Sequence, residues 1–196
     1  MTALYRLAWI IGGPLYKFLF RLRFPGQELM PDGPCIVCAN HSSMKDPILL
    51  AIAIGPREQP CFMAKAELFA KPLIGALLRG LGAFPVRRGE ADVTAVKTSM
   101  QCLKSGRKLC IFPEGTRLTA DDAASAKTGA VSLAARLHVP LVPVWIPREK
   151  RLFHRTVVRV GAPYCIDSAR RADLTPLAED LMERIYALGR EDEACL

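Results

Sequence analysis

Several features that would settle a function at once are missing from this chain of 196 residues. Neither G-x-x-x-x-G-K-[ST] nor G-x-G-x-x-G occurs, so nucleotide-cradling loops find no support. A G-x-S-x-G elbow is absent too, and with it the usual setting of a serine nucleophile. Aromatic residues are scarce at 7% and do not interleave with basic ones, so base stacking on nucleic acid is not expected. Cys35 and Cys38 form a C-x-x-C, but no second cysteine or histidine pair completes a zinc site. The cysteines number seven, an odd count without framework spacing. That argues for a reducing compartment and buried thiols rather than a disulfide scaffold.

Acidic residues are also missing from the start of the chain, where none precedes Glu28. Residues 1–24 are apolar apart from Arg6, Lys17, Arg21 and Arg23, yet the uncharged stretch between Arg6 and Lys17 is only ten residues long. A bilayer span needs about 20. The charge lies mostly after the apolar stretch and no A-x-A follows, so a secretory leader is not expected. The pattern suits an interfacial helix kinked near Gly12-Gly13-Pro14, with Trp9 and Tyr16 at headgroup level. The alternative is a helix packed on the domain's own core.

What is present is a globular composition, 51% hydrophobic and 23% charged, with a net charge of +8. Such a balance fits an anionic membrane surface or phosphorylated small molecules. With no linker in the chain, the expected organisation is a membrane-associating helix over 1–24 and one domain over 25–196. Apolar runs at Cys35–Ala39, Pro60–Ala64, Gly82–Val86, Lys108–Phe112, Leu141–Ile146 and Thr156–Val160 read as strands. Helical spacing falls between them at Pro47–Ile54, Leu68–Leu81, Ala91–Lys104 and Lys127–Leu137, and again near Leu174–Leu188. Strands alternating with helices predict an α/β fold, a largely parallel central sheet flanked by helices. Pro85 puts its strand at an edge or strand end.

In open parallel sheets, ligands bind outside the carboxyl ends of the strands. Three strands end in polar residues: one in Asn40-His41, one in Arg87-Arg88, one in the turn from Glu114 to Arg117. His41 and Asp46 are five apart, which rules out a shared helical face. Pro47 suits the first helical position and makes Asp46 a natural helix cap. A loop over Asn40–Lys45 would fold His41 back so that the carboxylate accepts from one imidazole nitrogen. The other nitrogen could then take a proton from a hydroxyl. The plain alternative is a helix cap beside a loop histidine. Arg87, Arg88 and Arg117 have the fork geometry that binds phosphate, and Glu114 could orient Arg117. His138 and His154 read as structural or surface residues.

The block Asn40-His41-Ser42-Ser43-Met44-Lys45-Asp46 resembles the N-H-x-S-x-x-D block of the glycerolipid acyltransferases, the family typified by 1-acylglycerol-3-phosphate acyltransferase. Gly82-Ala83-Phe84-Pro85-Val86-Arg87-Arg88, Phe112-Pro113-Glu114-Gly115-Thr116-Arg117 and Val139-Pro140-Leu141-Val142-Pro143-Val144 resemble its second, third and fourth blocks, in order. Gly26-Gln27-Glu28-Leu29 and Lys127-Thr128-Gly129-Ala130 also fit.

The resemblance implies acyl transfer from acyl-CoA or acyl carrier protein to the free hydroxyl of a lysophospholipid, with phosphatidic acid as the product from lysophosphatidic acid. It implies His41 as general base and Asp46 as its orienting partner. It places the acceptor phosphate on Arg88 and Arg117, with Glu114, Gly115 and Thr116 shaping that pocket and Arg87 and Lys127 as further candidates. No metal, covalent acyl-enzyme or permanently bound cofactor is called for. The implied location is the cytoplasmic face of the inner membrane, held peripherally. Arg87 stands where the family usually has an acidic residue, and Pro85 where it has a large apolar one. Another lysolipid acceptor, such as an amino-acid lipid, therefore stays open, as does a non-catalytic anionic-lipid-binding protein.

Overall fold

Strand β1 (Ile36–Ala39) is buried at every position, and the sheet is assembled around it. The structure, a computed structural model, describes residues 1–87, 92–114, 128–166 and 173–193. In chain order its strands are β1, β2 (Cys61–Lys65), β3 (Ala83–Val86), β4 (Leu109–Ile111), β5 (Leu141–Trp145) and β6 (Arg159–Val160). Its helices are α1 (Ala3–Leu19), α2 (Asp46–Ile54), α3 (Ala66–Phe69), α4 (Pro72–Gly80), α5 (Val93–Lys104), α6 (Gly129–Leu137) and α7 (Thr175–Glu193). The six strands lie in the order β3-β2-β4-β1-β5-β6. The first five run parallel, and β6 pairs antiparallel with β5. This is the expected largely parallel α/β fold, with β3 and its Pro85 at an edge.

Side chains alternate across a strand, and β1 feeds two cores. Ile36 and Cys38 face a cluster that includes Leu103 of α5, Val131 and Ala134 of α6, and Leu181 and Ile185 of α7. Cys35, Val37 and Ala39 face the other side, with Phe20, Leu22 and Leu49, Leu50 and Ile52 of α2. Burying each such aliphatic side chain contributes about 1.5–3 kcal/mol. The same alternation explains the C-x-x-C: Cys35 and Cys38 are three residues apart on a strand, point to opposite faces, and are both buried free thiols. Two other cysteines depart from the expectation of thiols. Cys61 at the start of β2 and Cys102 on α5 are disulfide-bonded, with Cα atoms 6.7 Å apart across a sequence separation of 41. Only the packing of α5 over β2 brings them together.

Helix α1 continues through Gly12-Gly13-Pro14 and serves both sides of the alternative left open by its sequence. Its inner side carries buried Tyr5, half-buried Trp9, whose Nε1 donates to the Ala51 carbonyl at 3.4 Å, and Tyr16 against Phe20 with ring centroids 5.3 Å apart. Trp9 and Tyr16 therefore anchor the helix to the domain instead of reaching outward to headgroups. Leu7, Ile10, Ile11, Leu15 and Phe18 are exposed, at the three- and four-residue spacing of a single helical stripe.

Gly82 turns the chain from α4 into β3 with φ +92°, and a Cβ there would run into the Pro60 carbonyl oxygen. Gly82→Ala should therefore cost about 1–3 kcal/mol, read as a lowered urea midpoint with an unchanged slope.

Candidate active site

Because β1 and β4 are parallel neighbours, the segments leaving their carboxyl ends must meet. Asn40, the first residue past β1, prolongs the strand pairing with its side chain. Its Nδ2 donates to the Ile146 carbonyl at 2.7 Å and its Oδ1 accepts from the Ile146 N–H at 2.8 Å. This clamps the loop after β1 to the segment after β5. From the other neighbour, Glu114 just past β4 accepts the His41 backbone N–H on Oε2 at 2.9 Å, and Phe112 stacks on the imidazole at 4.1 Å between ring centroids. His41 is thus held by its backbone and by one ring face.

Asp46 fixes the ring edge. Its Oδ2 accepts from His41 Nδ1 at 2.9 Å and from the Ser42 and Ser43 N–H groups at 2.7 Å each. The other oxygen, Oδ1, lies 2.7 Å from Lys150 Nζ, a charge contact rather than an aligned hydrogen bond. An ionised carboxylate only accepts, so Nδ1 carries the proton and Nε2 keeps its lone pair. The expected cap geometry is corrected here. Asp46 and Pro47 are the first two residues of α2, Lys45 occupies the cap position, and no side chain caps that helix end. One carboxylate oxygen serves both the loop and the histidine, while the second serves Lys150. The positive end of α2 adds to the stabilisation of an anion placed there.

Burial pushes the Asp46 carboxyl up, but the His41 hydrogen bond, the Lys150 ammonium and the Ser42 N–H together hold it below the ordinary carboxylate value. Lys150, with 2% of its side chain exposed, is pushed down by desolvation and partly held up by Asp46. Burial raises Glu114 against the opposing hydrogen bonds from Tyr186 and the His41 N–H. The Tyr186 hydroxyl, which donates to Glu114 Oε1 at 2.8 Å, is itself pushed up to about 12 by burial and by that carboxylate.

Of the residues expected at the site, His41, Asp46 and Glu114 come together. Glu114 engages the His41 loop and α7 through its two oxygens. Arg87 is exposed at the end of edge strand β3, its backbone N–H on Asp92. Arg88, Gly115, Thr116, Arg117 and Lys127 lie outside the described residues. The structure adds four that spacing did not single out: the clamp made by Asn40, the stacking of Phe112, Tyr186 beneath Glu114, and Lys150 behind Asp46. Phe112 carried a signal, an aromatic directly before a polar turn. Lys150 carried none, since its place depends on β5 lying beside β1.

The sequence profile of the family described as Acyltransferase matches residues 21–147, a span that holds His41, Asp46 and Glu114. The chain belongs to the Acyltransferase family. Among its relatives, the 1-acyl-sn-glycerol-3-phosphate acyltransferase of Bacillus subtilis (strain 168) is 38% identical over 117 residues, 60% of this chain and 57% of that protein. The protein of the same name from Streptococcus pneumoniae is 38% identical over 139 residues, 70% of this chain and 49% of that one. The chain therefore spans about half the length of the curated relatives it matches. The crystal structure titled as the 1-acyl-sn-glycerophosphate (LPA) acyltransferase PlsC from Thermotoga maritima superposes with a TM-score of 0.74 at 26% identity. That match covers 97% of this chain and 80% of the other.

Removing one partner of a buried ion pair strands the other's charge. Asp46→Asn should cost about 3 kcal/mol or more for that reason, whereas the double variant Asp46→Asn, Lys150→Met should be clearly more stable than the sum of the two single losses. Urea unfolding of the four proteins measures the coupling.

Proposed function

We propose that this acyltransferase moves an acyl chain from a thioester donor, acyl-CoA or acyl carrier protein, to the free hydroxyl of a lysophospholipid. The favoured acceptor is 1-acylglycerol-3-phosphate, giving phosphatidic acid. The observation that carries the reading is the His41–Asp46 pair, joined at 2.9 Å where β1 opens onto the carboxyl-end rim of the sheet. The names of the relatives support the acceptor.

The chemistry follows from the ring's orientation. With Nδ1–H donated to Asp46, Nε2 accepts the proton of the acceptor hydroxyl as its oxygen attacks the thioester carbonyl. The tetrahedral intermediate then expels the thiolate, which takes that proton back from Nε2–H. The imidazole is returned to its starting state, and no acyl-enzyme forms. Phe112 limits ring rotation through stacking, and the Glu114–Tyr186 pair steadies the backbone beneath it. Arg88 and Arg117 would hold the acceptor phosphate, with Glu114, Gly115 and Thr116 shaping the pocket and Arg87 and Lys127 as further candidates. Fixing both reactants at one rim supplies much of the acceleration.

The membrane side of the proposal rests on α1. Among the described residues no helix is long and apolar enough to cross a membrane. The outward stripe of α1 would instead lie in the interface as the chain's membrane-associating segment, with Arg6 and Lys17 toward anionic lipid. The location proposed is peripheral, on the cytoplasmic face of the inner membrane.

His41→Ala should lower kcat/KM with acyl donor and lysophosphatidic acid by about 100- to 10,000-fold while the melting transition stays cooperative. Near-native turnover in that variant would remove the general-base role. Because Tyr5 and Phe20 are buried in the domain, point changes test the membrane role better than truncation. Ile11→Glu with Phe18→Glu should abolish co-sedimentation with anionic vesicles and leave the circular dichroism spectrum unchanged.

A further inference from the structure

Lys150 is one of the most enclosed cations among the described residues, and it is committed to the pair that the reaction uses. Its Nζ lies 2.7 Å from Asp46 Oδ1 and donates to Ser42 Oγ at 3.0 Å, with the Arg148 carbonyl at 3.5 Å. Its own carbonyl receives Lys45 Nζ at 3.4 Å. Four residues earlier, the Asn40–Ile146 clamp locks the same segment to the end of β1. Tyr16, Phe20 and Leu49 line the small crevice it shares with Lys45, so little water reaches it. A lysine that only decorated the surface would not be desolvated in this way. One that held the acceptor phosphate would direct its ammonium to the rim, whereas here the ammonium is turned back onto Asp46.

We propose that Lys150 is a positioning residue for the His41–Asp46 pair, balancing the carboxylate's charge so that Asp46 orients the imidazole without drawing a second proton onto it. The proposal rests on the acyl-transfer function given above.

The charges around the imidazole show why a balance is needed. Asp46 faces it from α2, and Glu114 sits under its backbone from the segment after β4. Arg148 lies within electrostatic reach of Glu114, and the Tyr186 hydroxyl on α7 contributes a dipole but no charge. Lys45 places its ammonium over the Phe20 ring at 4.8 Å. Among the described residues, Lys150 is the cation in direct contact with Asp46. Without it, the carboxylate would act on the imidazole alone and favour the imidazolium, which cannot accept a hydroxyl proton.

The test compares wild type with Lys150→Met and Lys150→Arg. In Lys150→Met the acid limb of the kcat/KM profile should move to higher pH by about one unit, an activity loss of about tenfold on that limb. KM for the lysolipid should stay as in wild type, and Lys150→Arg should keep the wild-type limb. Nuclear magnetic resonance of ring-labelled histidine gives a readout free of substrate. The chain has three histidines, so comparison with His41→Asn assigns the signal. Titration of the His41 ring should move upward in Lys150→Met and not in Lys150→Arg.

An unmoved limb and an unmoved ring titration would overturn the proposal, as would a raised KM with unchanged kcat, which would make Lys150 an acceptor-binding residue. If the ring titration moves but wild type transfers no acyl group to any lysolipid, the assigned reaction fails while the charge balance stands. Lys150→Gln carries the same comparison if Lys150→Met does not fold. Should neither neutral variant fold while Lys150→Arg does, the cation serves the fold and the proposal is overturned.

Discussion

The carboxylate of Asp46 is fully buried, and the surrounding architecture supplies what such a group demands. Taking a carboxylate out of water costs several kcal/mol unless charges and donors replace its hydration. Here the replacements come from three places: two N–H groups of the loop after β1, the imidazole of the same loop, and an ammonium from the segment after β5. Each of these has to be in place for the others to be worth burying. The loop after β1 is therefore pinned by chemistry rather than by apolar packing, and His41 takes its orientation as a by-product.

The sheet makes this arrangement possible. β1 lies between β4 and β5, so the segments leaving all three at one end are adjacent whatever their separation in the chain. Asn40 bonds to a residue 106 positions away, and Glu114 reaches a residue 73 positions back. Tyr186 then joins Glu114 to α7, whose Leu181 and Ile185 belong to the apolar layer on that side of the sheet. The polar cluster at the rim is thus fastened to the hydrophobic core through α7, whose Leu181 and Ile185 are fully buried.

Local pattern made the strands, the helices and the His/Asp spacing legible, because each depends on neighbours within a few residues. Pro85 marked its strand as an edge for the same kind of reason, a missing donor. The partners of Asp46 were half legible. Ser42 and Ser43 lie in the same short segment, but Lys150 belongs to a charged stretch, Arg148-Glu149-Lys150, that resembles solvated surface until β5 is set beside β1. Glu114 was expected to steady Arg117, which lies outside the described residues, and its contact with the His41 backbone was not legible because it depends on β4 lying beside β1. The disulfide between Cys61 and Cys102 was hidden because no spacing rule connects a strand start to the last turn of a helix 41 residues further on. Trp9 and Tyr16 misled because amphipathic rings suit a membrane boundary and a domain surface equally well.

Edge strand β3 carries a final consequence. Phe62 N–H donates to the Gly82 carbonyl, which sets the even-numbered residues of β3 toward β2 and turns the backbone of Ala83 and Pro85 outward. The open side of the sheet therefore presents a proline where an incoming strand would seek an N–H. A second copy of the chain, or a misfolded neighbour, finds no continuous ladder there to extend. In a protein whose exposed apolar stripe on α1 already invites association, that one missing hydrogen guards against growth of the sheet into an aggregate.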